Sequence, residues 1–286
     1  MANLKEIRNR ITSVSSTRQI TSAMKMVSAS KLKRAQEAAF SLRPYADKLQ
    51  EIIKNVSSSL DGDAQSMYSA KRDVKKVLII AVSSNRGLCG AFNVNVGKKI
   101  NEIVRDRYNN VSVEVLTIGK KINDIAVKTY PVVADHSDLL DDISFENTVK
   151  IAQWAMDRFE EGKYDRIDVV YNKFKNAATQ VLTQEQFLPI IANESDSSVS
   201  TDYIFEPGKD RIITDLMPTS LKVQLHGAIL DSNAAEHGAR MTSMHKATDN
   251  ATELIGELKL TYNKARQASI TNEILEIVGG AEALNS

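Results

Sequence analysis

Apolar or small residues at Leu4, Ile7, Ile11 and Val14, resuming at Leu32, Ala35, Ala39, Leu42, Ala46, Leu49, Ile53, Val56 and Leu60, are spaced by alternating steps of three and four. Both runs share one register, so they predict a coiled-coil helix over about residues 2–58, roughly 85 Å long at 1.5 Å per residue. Pro44 should kink it. A second stripe passes through Met241, Met244, Ala251, Ile255, Leu258, Tyr262 and Ala265, then shifts to Ile270, Ile274 and Ile277. That pattern is read from Thr219, after Pro218, to a stop at Gly279-Gly280. Two long stripes separated by a long middle segment bury each other most simply as an antiparallel pair.

The first stripe is interrupted. Across QITSAMKMVSASKLKR, Gln19–Arg34, the register positions are Arg18, Thr21, Lys25 and Ser28, all polar, while Ile20, Met24 and Val27 sit one step earlier. The expectation is that the apolar stripe rotates by one residue, about 100° around the helix, because the packing partner changes here.

The middle alternates. VKKVLIIAVSS (74–84), VSVEVLTIG (111–119), DRIDVVYNKF and TQVLTQEQF read as strands, and residues 88–108, 120–129 and 144–161 as helices. This β-α-β-α order predicts a mainly parallel sheet covered by helices. Ser/Asp-rich stretches at 57–66 and 193–202 mark its edges. The fold class expected is therefore α/β: a long antiparallel coiled coil of N- and C-terminal helices plus a central Rossmann-like domain. Its parts are drawn at 1–58, 74–202 and 210–286.

Charge narrows the function. The net charge of +1 hides an asymmetry: residues 1–34 hold eight Lys/Arg against one acid, Glu6, a balance of +7, and residues 219–286 hold six against eight, −2, leaving −4 between. A basic helix without interleaved aromatics or a reading motif argues against nucleic acid and for an acidic protein surface, against which the flexible Met24 and Met26 can slide. The single cysteine, Cys89, suits a reducing compartment and reads as a small buried group. No apolar run approaches the roughly 20 residues that span a bilayer, and no signal-peptide core is present.

SSNRGLCGAFN (83–93) follows a strand and opens a helix, where phosphate loops sit, but it lacks the GK[ST] of a P-loop and the third glycine of the dinucleotide fingerprint. Gly87 and Gly90 are better explained by a tight turn and close packing. His136, His226, His237 and His245 form no metal-binding spacing. No catalytic constellation emerges, which favours a structural or interaction protein without a cofactor.

Three blocks, IRNRITSVSSTRQITSAMKMVSASKLKRAQ (7–36), SSNRGLCGAFN and ARMTSMHKATDNATELIGELKLTYNKARQASITNEILEIVGGAEAL (239–284), closely resemble the γ-subunit family of F-type ATP synthases. The resemblance implies a non-catalytic rotor shaft: a coil penetrating the α3β3 catalytic hexamer, and an α/β domain sitting on the membrane c-ring with the ε subunit. It implies contacts to α3β3 by Met24, Lys25, Lys31, Lys33, Arg34, Arg240, Arg266 and Gln267, and contacts to the ring and ε by Tyr203 and Glu206. It also implies a protein peripheral to a membrane, and without a transit peptide the cytoplasmic face of a bacterial inner membrane is expected. The other reading is a coiled-coil tether with an α/β domain that binds no nucleotide.

Overall fold

A computed structural model describes residues 4–58, 68, 72–190 and 209–284. The chain divides into two compact units, Ser28–Arg240 and Met1–Val27 with Met241–Ser286. Two helices, α1 (Leu4–Ser58) and α5 (Lys209–Leu284), contribute to both.

In the unit Ser28–Arg240, the order is β1 (Lys76–Val82), α2 (Phe92–Arg107), β2 (Ser112–Ile118), α3 (Lys120–Ala126), β3 (Val132–Asp135), a 3-10 turn (Ser137–Asp141), α4 (Phe145–Glu160), β4 (Arg166–Phe174) and β5 (Gln180–Leu188). The sheet runs β3-β2-β1-β4-β5, parallel from β3 to β4, with β5 antiparallel at the edge. β1 is the continuous apolar run of a strand buried on both faces, and its alternate residues feed two cores. Val77, Ile79 and Ala81 pack with Val96 and Ile100 of α2 and Ile122 of α3. Leu78, Ile80 and Val82 pack with Ala152, Ala155, Met156 and Phe159 of α4 and with Leu221, Leu225, Ala228 and Ile229 of α5. A stretch of α5 is thus part of the sheet's own core.

β3 is absent from the sequence reading because a four-residue edge strand carries too little alternation to register. β5 runs antiparallel because the five residues after Phe174 can turn a hairpin but cannot make the dozen-residue crossover of a parallel pair. Gly119 joins β2 to α3 at φ +118, and a Cβ there would stand 2.8 Å from Ser83 Oγ. Ser83 Oγ accepts from Ile122 N–H, and Asn85 Oδ1 from Lys120 N–H, so the end of β1 caps α3.

The other unit is an antiparallel helix pair. Arg8 Nη2 donates to Tyr262 OH at 2.8 Å, Thr21 and Thr248 hydroxyls lie 2.9 Å apart, and Lys25 Nζ lies 3.2 Å from His245 Nδ1. Ile7 from α1 and Met244, Ala251 and Ile255 from α5 are buried. The expected rotation of the stripe does not occur. Thr21 and Ser28 are buried at the register positions, while Ile20 and Val27 are 60% and 58% exposed. Packing holds the register and admits small hydroxyls, because Thr21 can satisfy its own by donating to Arg18 O.

The ends of α5 also differ from the sequence reading. It starts at Lys209 and contains Pro218, which forfeits one helical hydrogen bond without ending the helix. α1 likewise continues through Pro44. Gly279 and Gly280 are not a stop, because neither adopts the positive φ of a C-cap glycine, and the helix runs to Leu284. Ile270, Ile274 and Ile277 are 47%, 55% and 66% exposed rather than seam residues. With Arg8 opposite Tyr262, the described part of α1, from Leu4, ends opposite about residue 266 of α5.

Candidate partner-binding surface

The loop between β1 and α2 is built by its own side chains. Ser84 Oγ donates to Arg86 O at 2.7 Å, Asn93 Oδ1 accepts from Ser84 N–H at 3.1 Å, and Asn93 Nδ2 lies 3.2 Å from Cys89 Sγ. Cys89 is buried, and burial pushes its thiol pKa up, the opposite of an activated nucleophile. Gly90 takes φ 62, as a tight turn requires, whereas Gly87 faces open space and is not a packing glycine. Between them Leu88 takes φ 66 and remains 64% exposed. A leucine in this region is strained and persists because its surroundings fix it.

Arg240 does the fixing. Its Nη1 donates to Gly87 O, its Nη2 to Arg86 O at 3.3 Å, and it pairs with Glu236 at 2.5 Å. Glu236 is nearly enclosed; burial raises its pKa, opposed by Arg240, Lys31 and Arg86. The neighbouring His237 is pushed down to about 4, first by burial and then by Lys31 and Arg240. Lys31 of α1, Arg86 of the loop and Arg240 of α5 therefore converge on one acid.

Of the residues carried over from the resemblance, Lys31, Lys33 and Arg34 are exposed cations on α1, with Lys33 4.0 Å from Glu37. Arg240 is the exception. It is only 8% exposed and bonded within its own chain, because the loop supplies two carbonyls and α5 a carboxylate at the reach of one guanidinium. Met24 and Lys25 lie half-buried in the helix pair, and Arg266 and Gln267 are exposed on α5. Tyr203 and Glu206 lie outside the described residues. Sequence reasoning missed Arg86 and Leu88, which the loop presents to solvent. The glycines flanking Leu88 were the available signal.

A family profile described as ATP synthase matches residues 3–284. The ATP synthase gamma chain of Flavobacterium psychrophilum is 62% identical over 285 residues, covering 99% of each chain. The chain belongs to the ATP synthase gamma-chain family. Within that family, the gamma chain of Flavobacterium johnsoniae is 60% identical across the full length of both. The gamma-chain fold is also that of a chain in the Euglena gracilis mitochondrial ATP synthase with OSCP, F1 and c-ring in rotational state 3, matched with a TM-score of 0.72 at 23% identity over 98% of this chain and 94% of that one. Among the described residues no helix is long and apolar enough to cross a membrane.

His237 is expected to make the fold of this gamma chain acid-sensitive. Its folded pKa of about 4 lies below the ordinary value of 6.5, so the unfolded chain takes up the proton first and stability falls as pH drops through that window. Replacing His237 by Gln is expected to flatten the pH dependence of the unfolding free energy, measured by urea titration between pH 7 and 4.5, by at most about 3 kcal/mol. His136 and His226, also lowered by burial, remain as background of the same sign.

Proposed function

We infer that this chain is the central rotor shaft of an F-type ATP synthase. It couples ion flow through the membrane c-ring to ATP synthesis and hydrolysis at catalytic sites on the α3β3 hexamer. The observation that carries this reading is full-length identity of 62% to a bacterial gamma chain. Its partners are then the α and β subunits, ε and the c-ring, with no nucleic acid. The chain itself is non-catalytic and peripheral to the membrane, on the cytoplasmic side of a bacterial inner membrane.

The geometry supports this in two ways. The helix pair of Met1–Val27 and Met241–Ser286 buries a narrow seam and leaves Ile20, Met26, Val27 and Leu260 outward, a bearing surface that apolar partners can slide over. The exposed Lys31, Lys33 and Arg34 add a basic face for an acidic partner. A shaft drives distinct catalytic sites by touching each differently as it turns, the differential contact that any allosteric drive needs.

Co-expression with the α and β subunits of the same enzyme is expected to give a stoichiometric α3β3 complex carrying one copy of this chain, with ATP hydrolysis dependent on its presence. Purification of a free chain that never joins α3β3 would return the reading to a coiled-coil tether.

A further inference from the structure

If the chain is a rotor, its sheet must not slip around the helices it drives. Most of the contact between α5 and the sheet is apolar, through Leu221, Leu225, Ala228 and Ile229. Such contact is non-directional and resists sliding or rotation poorly compared with a hydrogen bond of fixed geometry. Directional contacts stand beside it: Gln224 Nε2 of α5 donates to the carbonyl oxygen of Gln186 in β5 at 3.3 Å, and a second involves both long helices. Arg43 of α1 places Nη2 3.0 Å from Asp231 Oδ1 of α5 and 3.4 Å from the carbonyl oxygen of Phe174, the last residue of β4. A single guanidinium thus ties both helices to the sheet.

The surroundings hold it in place. The Arg43 guanidinium lies 4.8 Å above the Phe40 ring, which meets the ring of Phe174 edge-on with centroids 6.5 Å apart. The Asp231 side chain is 10% exposed, and burial raises its pKa against the pull of Arg43 and Lys173, so the carboxylate depends on its partner. Beyond Phe174 the chain turns over Asn176, whose Oδ1 accepts from the N–H groups of Ala178 and Thr179. That turn seats directly on α5: a Cβ at Gly238 would stand 3.2 Å from Ala177 O and 3.5 Å from the Phe174 ring. A side chain there would push the turn back by a few tenths of an ångström, so glycine allows the closest seating.

We propose that Arg43 and Asp231, together with the 175–179 turn seated at Gly238, form a latch that fixes the rotational setting of both long helices against the sheet, making them positioning residues for torque transfer. This rests on the rotor reading above.

The test uses the assembled, membrane-bound enzyme and compares Arg43→Met, Asp231→Asn and the exchanged pair Arg43→Asp with Asp231→Arg. In the single variants, amides of the 175–179 turn exchange about tenfold faster, the loss expected on breaking a partly buried charged contact. Ions pumped per ATP hydrolysed fall at least about threefold, a fraction of that opening, while hydrolysis itself continues; the exchanged pair recovers part of both. An unchanged pumping ratio in assembled single variants overturns the latch. Should Arg43→Met fail to assemble, Arg43→Gln, whose shorter neutral side chain cannot form the ion pair with Asp231, takes its place, and its pumping ratio decides by the same criterion. If the unaltered chain never enters an α3β3 complex, it is the rotor reading that fails.

Discussion

Changing Lys31, Lys33 and Arg34 together to glutamate is expected to lower ion-driven ATP synthesis by the assembled enzyme at least about tenfold at low ionic strength, with a smaller loss at high salt. The three side chains are exposed and held by little within the chain, the 4.0 Å approach of Lys33 to Glu37 being a surface pair. An exposed pair contributes only about 0.2–1 kcal/mol, so single replacements are expected to be nearly silent. Reversal of all three replaces attraction by repulsion at each position, and the summed change reaches the 1.4 kcal/mol that makes a tenfold difference. Lys31 also lowers the pKa of the enclosed Glu236, and a carboxylate in its place would oppose that acid. A matching triple glutamine variant separates the two effects: it removes the cations without adding repulsion and should retain much of the synthesis. Equal synthesis by the glutamate and parent enzymes, across both salt conditions, would sink the idea of an electrostatic face toward an acidic partner.

The seam on both helices is legible because it imposes a strict period over many residues, and β1 because its apolar run is unbroken. Ile7 and Ile255 are buried as that period predicts. The polar gap is not legible from apolarity alone. Apolarity marks a seam only in part: register at Thr21 and Ser28 admits small polar residues while stranding Ile20 and Val27 outside. Glycine and proline misled in the same way. Gly279-Gly280 and Pro218 signal breaks only through particular backbone angles or clashes, which sequence does not specify. The resemblance makes Arg240 a contact to α3β3, whereas its loop partners, Arg86 and Gly87, lie 154 and 153 residues away in sequence. No local pattern announces such a contact, nor the meeting of Arg43 with Asp231.

Arg240→Met is expected to destabilise the purified full-length chain by about 3–5 kcal/mol at pH 7, since truncating one partner strands the other. Glu236, 12% exposed at its side chain, would lose its nearest cation, and the carbonyls of Gly87 and Arg86 would lose their donors. The penalty has a definite pH signature. With Arg240 gone, the buried carboxylate has a folded pKa raised above its unfolded value, so its neutral form is favoured in the fold. Stability is then retained below the unfolded carboxylate pKa and lost as pH rises through the raised one, so the deficit against the parent chain should shrink on acidification. Adding Glu236→Gln removes the stranded charge, and the double variant should regain more than half the loss at pH 7. Leu88 supplies an independent readout. Its φ of 66 is held by the loop that Arg240 pins, so amides of residues 86–90 should exchange faster in the single variant. Replacing Leu88 by glycine removes the strain of the left-handed conformation, so it should restore part of the stability lost with Arg240, and a variant lacking Arg240 that unfolds at the parent's urea midpoint would show that the guanidinium is no clamp at all.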